Sequence, residues 1–507
     1  MTVVARVEGL TLSFPRTGTP FRALNDVSLT VGTGEIVALV GESGSGKTVL
    51  GSCLLGLVPG GRHTTVTGTV EVDGVDMVAG PASRRRWVRR HRLGAVFQDP
   101  LTSLDPTMRV GPQVGARDSG RALDALAECG IPAPEQRIRY WPHQLSGGLR
   151  QRVSIAGAVT AAGGYPSLLV ADEPTTALDV RVQDQIVRLF ARLRDDHGTS
   201  ILLITHDLGV AAQVADRVVV MSAGEVRESG RTGEVLRAPR DAYTRKLVSS
   251  RLDVAAPLPP ASPPPGDPVL RLTGIVKDFR DPHRRRTVRR VLHGVDLTLG
   301  AGEAVALVGE SGSGKSTLLR IAAGLETATA GAAEVPGGRP QLIFQDARSS
   351  LTPWLSISGQ IAERLAAAGV PRGSRAGRVA DLLARVGLDE RVAGSKPRQL
   401  SGGQCQRAAI ARALASAPRV LLCDEPVSAL DATLATQVVE LLDELRRTTG
   451  VALLLVTHDL AVAKRIAGRV AVMTEGRIVE EGPVARIFEA PEHDYTRQLL
   501  AASPSLA

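Results

Sequence analysis

The octapeptide Gly41-Glu42-Ser43-Gly44-Ser45-Gly46-Lys47-Thr48 returns almost unchanged as Gly309-Glu310-Ser311-Gly312-Ser313-Gly314-Lys315-Ser316, with Thr317 after it. Each copy is followed, in the same order, by Phe-Gln-Asp, Leu-Ser-Gly-Gly, an apolar run ending in Asp-Glu-Pro, a Leu-Asp and a Thr-His-Asp. An ordered set of motifs repeated in this way means one supersecondary plan built twice, and it constrains everything else about the chain. The halves even end alike, with Ala238-Pro239-Arg240-Asp241-Ala242-Tyr243-Thr244-Arg245 against Ala490-Pro491-Glu492-His493-Asp494-Tyr495-Thr496-Arg497.

Between them lies AAPLPPASPPPGDP, from Ala255 to Pro268. Proline at that density excludes a packed helix or a central strand and gives a semi-rigid spacer. The expected organisation is a first domain over 1–252, a Pro-rich linker over 253–268 and a second domain over 269–507. At 507 residues the chain is long enough for two or three domains. The apolar runs Leu168–Ala171, Ile201–Ile204, Val420–Cys423 and Val451–Val456 are short and continuous, as in parallel strands buried on both faces. Stretches such as Ile361 to Val386, rich in Ala, Leu and Arg, read as helices inserted between the Phe-Gln-Asp and the Leu-Ser-Gly-Gly. The fold class is therefore α/β, each half a mainly parallel sheet carrying a helical insertion.

The loops follow an apolar strand (Ile36 to Val40; Ala304 to Val308) and precede a helical pattern. That context predicts a phosphate cradle. Gly41, Gly44, Gly46, Gly309, Gly312 and Gly314 let the backbone wrap phosphates, with neighbouring N–H groups such as those of Ser43 and Ser311 aimed at their oxygens. The helix N-terminus adds partial positive charge. Lys47 and Lys315 reach the β- and γ-phosphates, and the hydroxyls of Thr48 and Ser316 are placed for Mg²⁺ beside Thr317. Asp172 and Asp424, ending apolar strands, complete the metal ligands. Glu173 and Glu425 follow at once, positioned to polarise an attacking water. His206 and His458 are candidate γ-phosphate contacts.

Taken together, and above all because of Leu-Ser-Gly-Gly, the motifs resemble the ATP-binding cassette (ABC) ATPases. The resemblance covers the chain outside the linker. It implies two tandem P-loop cassettes, each with an antiparallel β-lobe, that dimerise head to tail around two ATP molecules. Each ATP would meet one phosphate loop and the other half's signature, Ser146-Gly147-Gly148 or Ser401-Gly402-Gly403. Gln98 and Gln345 would sense Mg²⁺ and the γ-phosphate, Phe14 and Phe279 would stack on adenine, and Asp179 and Asp431 would lie at the dimer interface. The first signature departs from the common pattern at Leu149, the second at Cys405. Neither departure removes a phosphate ligand, so both sites should be competent for ATP hydrolysis. The second half has a shorter stretch between phosphate loop and Phe-Gln-Asp, which should trim its outer β-lobe.

The wording after the glutamine, Phe97-Gln98-Asp99-Pro100-Leu101-Thr102-Ser103-Leu104-Asp105-Pro106 and Phe344-Gln345-Asp346-Ala347-Arg348-Ser349-Ser350-Leu351-Thr352-Pro353, resembles the oligopeptide/dipeptide/nickel importer ATPases. That resemblance implies a motor at the cytoplasmic face of a bacterial membrane, taking up peptides or nickel and metal-chelate substrates. Its partners would be two integral-membrane permeases, contacted through the insertions Leu101–Trp141 and Leu351–Arg398, and through them an extracytoplasmic binding protein. Many members carry an iron–sulfur cysteine cluster near the cassette end; no Cys follows Tyr243 in its half or Tyr495, so no cluster is expected. A fused sugar-importer ATPase would usually have one degraded half. A soluble translation-factor type would carry a longer charged linker, and a DNA-repair type would carry zinc cysteines.

Composition adds little. The net charge of +9 is carried almost wholly by arginine, since the chain has six lysines. With no other support, a nucleic-acid partner is not expected. The runs Arg84–Arg92 and Arg284–Arg290 read first as a solvated helix and a loop, and second as contacts for lipid headgroups or an acidic partner. Cys53, Cys129, Cys405 and Cys423 lack metal-ligand spacing. No secretory leader is read at the N-terminus, and no apolar run approaches the roughly 20 residues of a membrane span.

Overall fold

A computed structural model describes residues 2–15, 20–60, 63–115, 118–160, 163–176, 178–258, 266–280, 288–428 and 430–503, with the side chains of 101 and 102 set aside. The chain divides into two compact units, one drawn from residues 2–178 and 182–251, the other built on 252–503. The proline cluster of 259–265 and the arginines of 284–286 fall outside the described residues.

The first unit has two sheets. Strands β1 (Val3–Phe14), β2 (Phe21–Gly32), β4 (Thr65–Val72) and β5 (Val75–Asp76) form an antiparallel lobe in the order β2-β1-β4-β5. Alternating burial along β1 leaves one face for the core and one for water, as antiparallel strands allow. The second sheet runs β10 (Glu225–Arg231), β9 (Arg217–Ser222), β3 (Ile36–Val40), β8 (Ser200–Thr205), β7 (Leu168–Asp172), β6 (Leu93–Val96). Every pair is parallel except β9 with β10. β3 and β8 are buried at every position, which is why β3 and the Ile201–Ile204 stretch of β8 are unbroken apolar runs.

The second unit repeats the plan. Its lobe has three strands, β12 (Val288–Gly300), β11 (Pro268–Arg280) and β14 (Ala330–Glu334). Its main sheet runs β15 (Gln341–Ile343), β16 (Val420–Asp424), β17 (Ala452–Thr457), β13 (Ala304–Val308), β18 (Arg469–Thr474), β19 (Arg477–Pro483). The trimmed lobe is the expected one. The first unit's helix Ala82–His91, which holds the basic run, lies between β5 and β6; in the second unit β14 leads to β15 with no helix between.

Helices fill the insertions, at Val110–Gly115 and Ser119–Glu128 in the first unit. In the second they are Ile357–Ala367 and Arg375–Arg385, separated at Gly369-Val370-Pro371, where a left-handed glycine and a proline stop the first helix. Both insertions pack on the helix that opens each signature, Gly147–Thr160 and Gly402–Leu414, and share an apolar core with it. Among the described residues no helix is long and apolar enough to cross a membrane.

Candidate nucleotide site

Each phosphate loop sits between the central strand and the helix it caps (β3 to Lys47–Leu54; β13 to Lys315–Ala322). The loop's shape demands glycine at its first position. Gly41 and Gly309 have φ of 151° and 152°, and a Cβ there would lie 2.1 Å and 2.0 Å from the carbonyl oxygens of Met221 and Met473. Lys47 donates from Nζ to the carbonyls of Gly41 (2.7 Å) and Glu42 (2.8 Å), and Lys315 does the same to Gly309 (2.7 Å) and Glu310 (2.8 Å). Both lysines are buried, so the ammonium is held inside the loop. Burial lowers the Lys315 pKa, against the opposing pull of Glu425 and Asp424.

The next shell of oxygens comes from the strand ends. Thr48 donates to Asp172 Oδ1 at 3.3 Å, and Ser316 donates to Asp424 Oδ1 at 2.9 Å. Burial pushes both aspartates above the ordinary carboxylate value, an environment that a divalent cation would reverse. A hydroxyl converging on a carboxylate is a hard-oxygen donor set that fits Mg²⁺.

Glu173 and Glu425 turn away from the sheet in the left-handed region, at φ 46° and 47°. Their amides stay tied to the neighbouring strands, donating to Ile204 O (2.8 Å) and Val456 O (2.9 Å). Each carboxylate collects three partners. Glu173 accepts from Gln98 Nε2 (2.8 Å) and Thr176 Oγ1 (3.0 Å) and pairs with His206 Nδ1 (3.3 Å). Glu425 accepts from Gln345 Nε2 (3.1 Å) and pairs with His458 Nδ1 (3.1 Å), with Ser428 as its third partner. Burial alone would raise these glutamates, but the histidine, hydroxyl and loop lysine beside each together outweigh it and hold both carboxyls below the usual value. Burial alone would lower the histidines, and the glutamates reverse that too.

Lysine, aspartate, glutamate, glutamine and histidine are thus brought together in each unit. Thr176 and Ser428 were not among the expected residues; their signal is a hydroxyl shortly after each Asp-Glu-Pro.

The signatures differ in detail. Ser401 caps its helix, accepting from Gln404 N (3.2 Å) while Gln404 Oε1 accepts from Ser401 N (3.0 Å). Ser146 accepts from Leu149 N at 3.4 Å, and leucine has no oxygen to return the bond. Cys405 stands at a buried position and donates to Pro397 O at 3.5 Å. Asp431 caps helix Ala432–Thr449 through Leu434 N, and Asp179 directly precedes helix Val180–His197. Phe14 stacks on Phe21 with centroids 6.5 Å apart, and the half-exposed Phe279 lies 5.0 Å from Lys277 Nζ.

The ABC transporter family matches residues 24–176 and 292–428. The chain belongs to that family. The oligopeptide/dipeptide transporter C-terminal region matches residues 479–507, which places this ABC protein in the oligopeptide/dipeptide importer branch. It is 40% identical to the peptidoglycan transport ATP-binding protein YejF of Agrobacterium fabrum, across 98% of this chain and 96% of that one. It is 39% identical to the glutathione import ATP-binding protein GsiA of Escherichia coli, across 99% and 89%. The archaeal ribosome recycling factor aABCE1, solved with a ribosomal stalk protein, superposes with a TM-score of 0.62 at 20% identity, covering 91% of this chain and 86% of that chain. At that identity the likeness is one of fold. This ABC protein carries two tandem cassettes and is an ATPase.

Proposed function

We propose that the chain is the ATP-hydrolysing subunit of a bacterial importer of peptide-like substrates, peripheral at the cytoplasmic face of the membrane and acting on separate permease subunits. The observation that carries this is the pair of intact catalytic sets. Neither half lacks a lysine, a strand-end aspartate, a following glutamate or a histidine bound to it. A sugar-importer ATPase with one worn cassette fits that less well. Of the two cargo classes read from the sequence, the names of the relatives favour peptides over nickel.

In this reading two ATP molecules bind, each between the phosphate loop of one cassette and the signature of the other. Lys47 and Lys315 exchange loop carbonyls for phosphate oxygens. Thr48 with Asp172, and Ser316 with Asp424, hold Mg²⁺, which supplies neutralisation of phosphate charge when bound. Glu173 and Glu425, held ionised, orient water and accept its proton. His206 and His458 fix those carboxylates and lie at the end of the strand facing the γ-phosphate. Gln98 and Gln345 stand where each insertion begins, so their release from glutamate is the step that reaches the permeases.

The test is reconstitution with candidate permeases and a substrate-binding protein. ATP turnover should rise when the binding protein is loaded with di- or tripeptides or glutathione. Stimulation by nickel or a metal chelate alone would move the cargo to the other class. Cross-linking that never joins a permease to either insertion would refute the coupling route.

A further inference from the structure

The end of each cassette folds back onto its own phosphate loop. In the first unit Glu228 on β10 accepts the backbone N–H groups of Arg240 (2.9 Å) and Asp241 (3.1 Å), fixing the turn that follows the helix Thr232–Arg237. Asp241 then caps helix Ala242–Ser249, accepting from Tyr243 N and Thr244 N. In the second unit Glu480 accepts from Glu492 N (2.8 Å) and His493 N (3.1 Å), and His493 caps helix Asp494–Ala501. Each helix carries its tyrosine against the central strand. Tyr243 packs against the apolar cluster that includes Ala38 and Val40, and the buried Tyr495 belongs to the cluster that includes Ala306 and Val308.

The hydroxyls then meet the loops. Glu42 N donates to Tyr243 Oη at 3.1 Å, and Glu310 N donates to Tyr495 Oη at 2.8 Å. These N–H groups belong to the same peptide planes whose carbonyls, Gly41 O and Gly309 O, accept from Lys47 and Lys315 at 2.7 Å. One peptide is therefore held at both ends, by the nucleotide lysine and by the tail tyrosine. It follows the glycine that admits no side chain. Burial pushes the Tyr495 phenol up to about 12, which keeps it a neutral hydroxyl.

We propose that Tyr243 and Tyr495 are positioning residues for ATP: through one hydrogen bond each, the cassette tail sets the first peptide plane of the phosphate loop and, with it, the lysine. The C-terminal region matched at 479–507 then has a role in nucleotide affinity in addition to whatever it does elsewhere. The proposal rests on reading the loops as phosphate cradles.

The experiment uses the full-length chain with Tyr243→Phe, Tyr495→Phe and both together, which keep the rings and remove only the hydroxyls. Losing one neutral hydrogen bond should raise the KM and Kd for ATP about three- to tenfold at the altered site while kcat changes little. Binding of adenosine, which has no phosphate, should not change. Amide exchange in peptides covering 41–48 or 309–316 should quicken in the matching variant. Parental ATP affinity and parental loop exchange would overturn the proposal. So would a lower melting temperature with unaltered affinity, or a fall in kcat with unaltered KM, since either makes the tyrosine merely structural or places it elsewhere. Lys47→Ala and Lys315→Ala run alongside. If they lose ATP while the tyrosine variants do not, the latch alone fails. If they too bind as the parent does, the phosphate-loop reading falls with it.

Discussion

Along the path of the nucleotide-site residues, from the loop lysine through the glutamine and the strand-end glutamate to the histidine, the two cassettes repeat each other's contacts. Lysine reaches the first two loop carbonyls at 2.7 and 2.8 Å in both, and the glutamine reaches the glutamate at 2.8 Å in one and 3.1 Å in the other. Away from that path they part. The first lobe has four strands and a basic helix, the second three strands and a direct return to the sheet. In the second, Lys277 is drawn inward to Glu326 Oε1 (2.6 Å) and Thr327 O (2.7 Å), tying the lobe strand to the shortened connection. The lobe tolerates deletion because it supplies none of the groups that touch phosphate. The strand ends tolerate none, because each positions a ligand.

If the two sites are chemically equal, disabling the paired glutamates should have the largest effect. Glu173→Gln with Glu425→Gln should slow hydrolysis by on the order of 10²–10⁴ while ATP still binds. Each single variant should keep a similar share of turnover. A single variant that retains the whole rate would show that one cassette carries the chemistry alone. Next in size, Lys47→Ala and Lys315→Ala should each remove one ATP-binding event per chain, by about one to two orders of magnitude in affinity, as for a charge-assisted hydrogen bond. Equilibrium binding with a fluorescent ATP analogue measures this, and two tight sites in either variant would break the equivalence.

A smaller effect should appear in pH dependence. Glu173 and Glu425 have lowered pKa values and His206 and His458 raised ones, relative to 4.5 and 6.5. The glutamate contribution to stability is complete above 4.5 and is lost as pH falls through the lowered value. The histidine contribution is complete below 6.5 and is lost as pH rises through the raised value. His206→Ala with His458→Ala should therefore lower the melting temperature most between these two values, and less on the alkaline side. A deficit independent of pH would mean the pairs are not ionic. Smallest of all, Leu149→Gln should give the first signature the reciprocal cap the second already has, adding about 0.5 kcal/mol, whereas Gln404→Leu should remove as much from the second. Thermal melts of the two variants, moving in opposite directions, would sharpen the comparison.

What could be read from the chain is what local spacing encodes. Unbroken apolar runs gave buried parallel strands, and glycines gave the loop. The Arg84–Arg92 run is a helix, yet two of its arginines are not simply solvated, since Arg85 and Arg89 donate to the carbonyls of Val78 and Gly56. Spacing cannot announce a bond between residues far apart in sequence. Tyr243 was visible as part of a repeated tail, but only the fold brings its hydroxyl to Glu42. Thr176 and Ser428 were hidden for a different reason. A lone hydroxyl near an acidic residue is common, and only the left-handed turn at the glutamate brings the two together.

That turn also sets stability against activity. A left-handed non-glycine residue costs on the order of 1–3 kcal/mol, and glycine or asparagine would occupy Glu173 and Glu425 with less strain. Selection for a sturdier protein alone would replace both glutamates. Their presence marks two positions where fitness is drawn from turnover at the expense of robustness, so the most thermostable substitutions at these sites should also be the inactive ones.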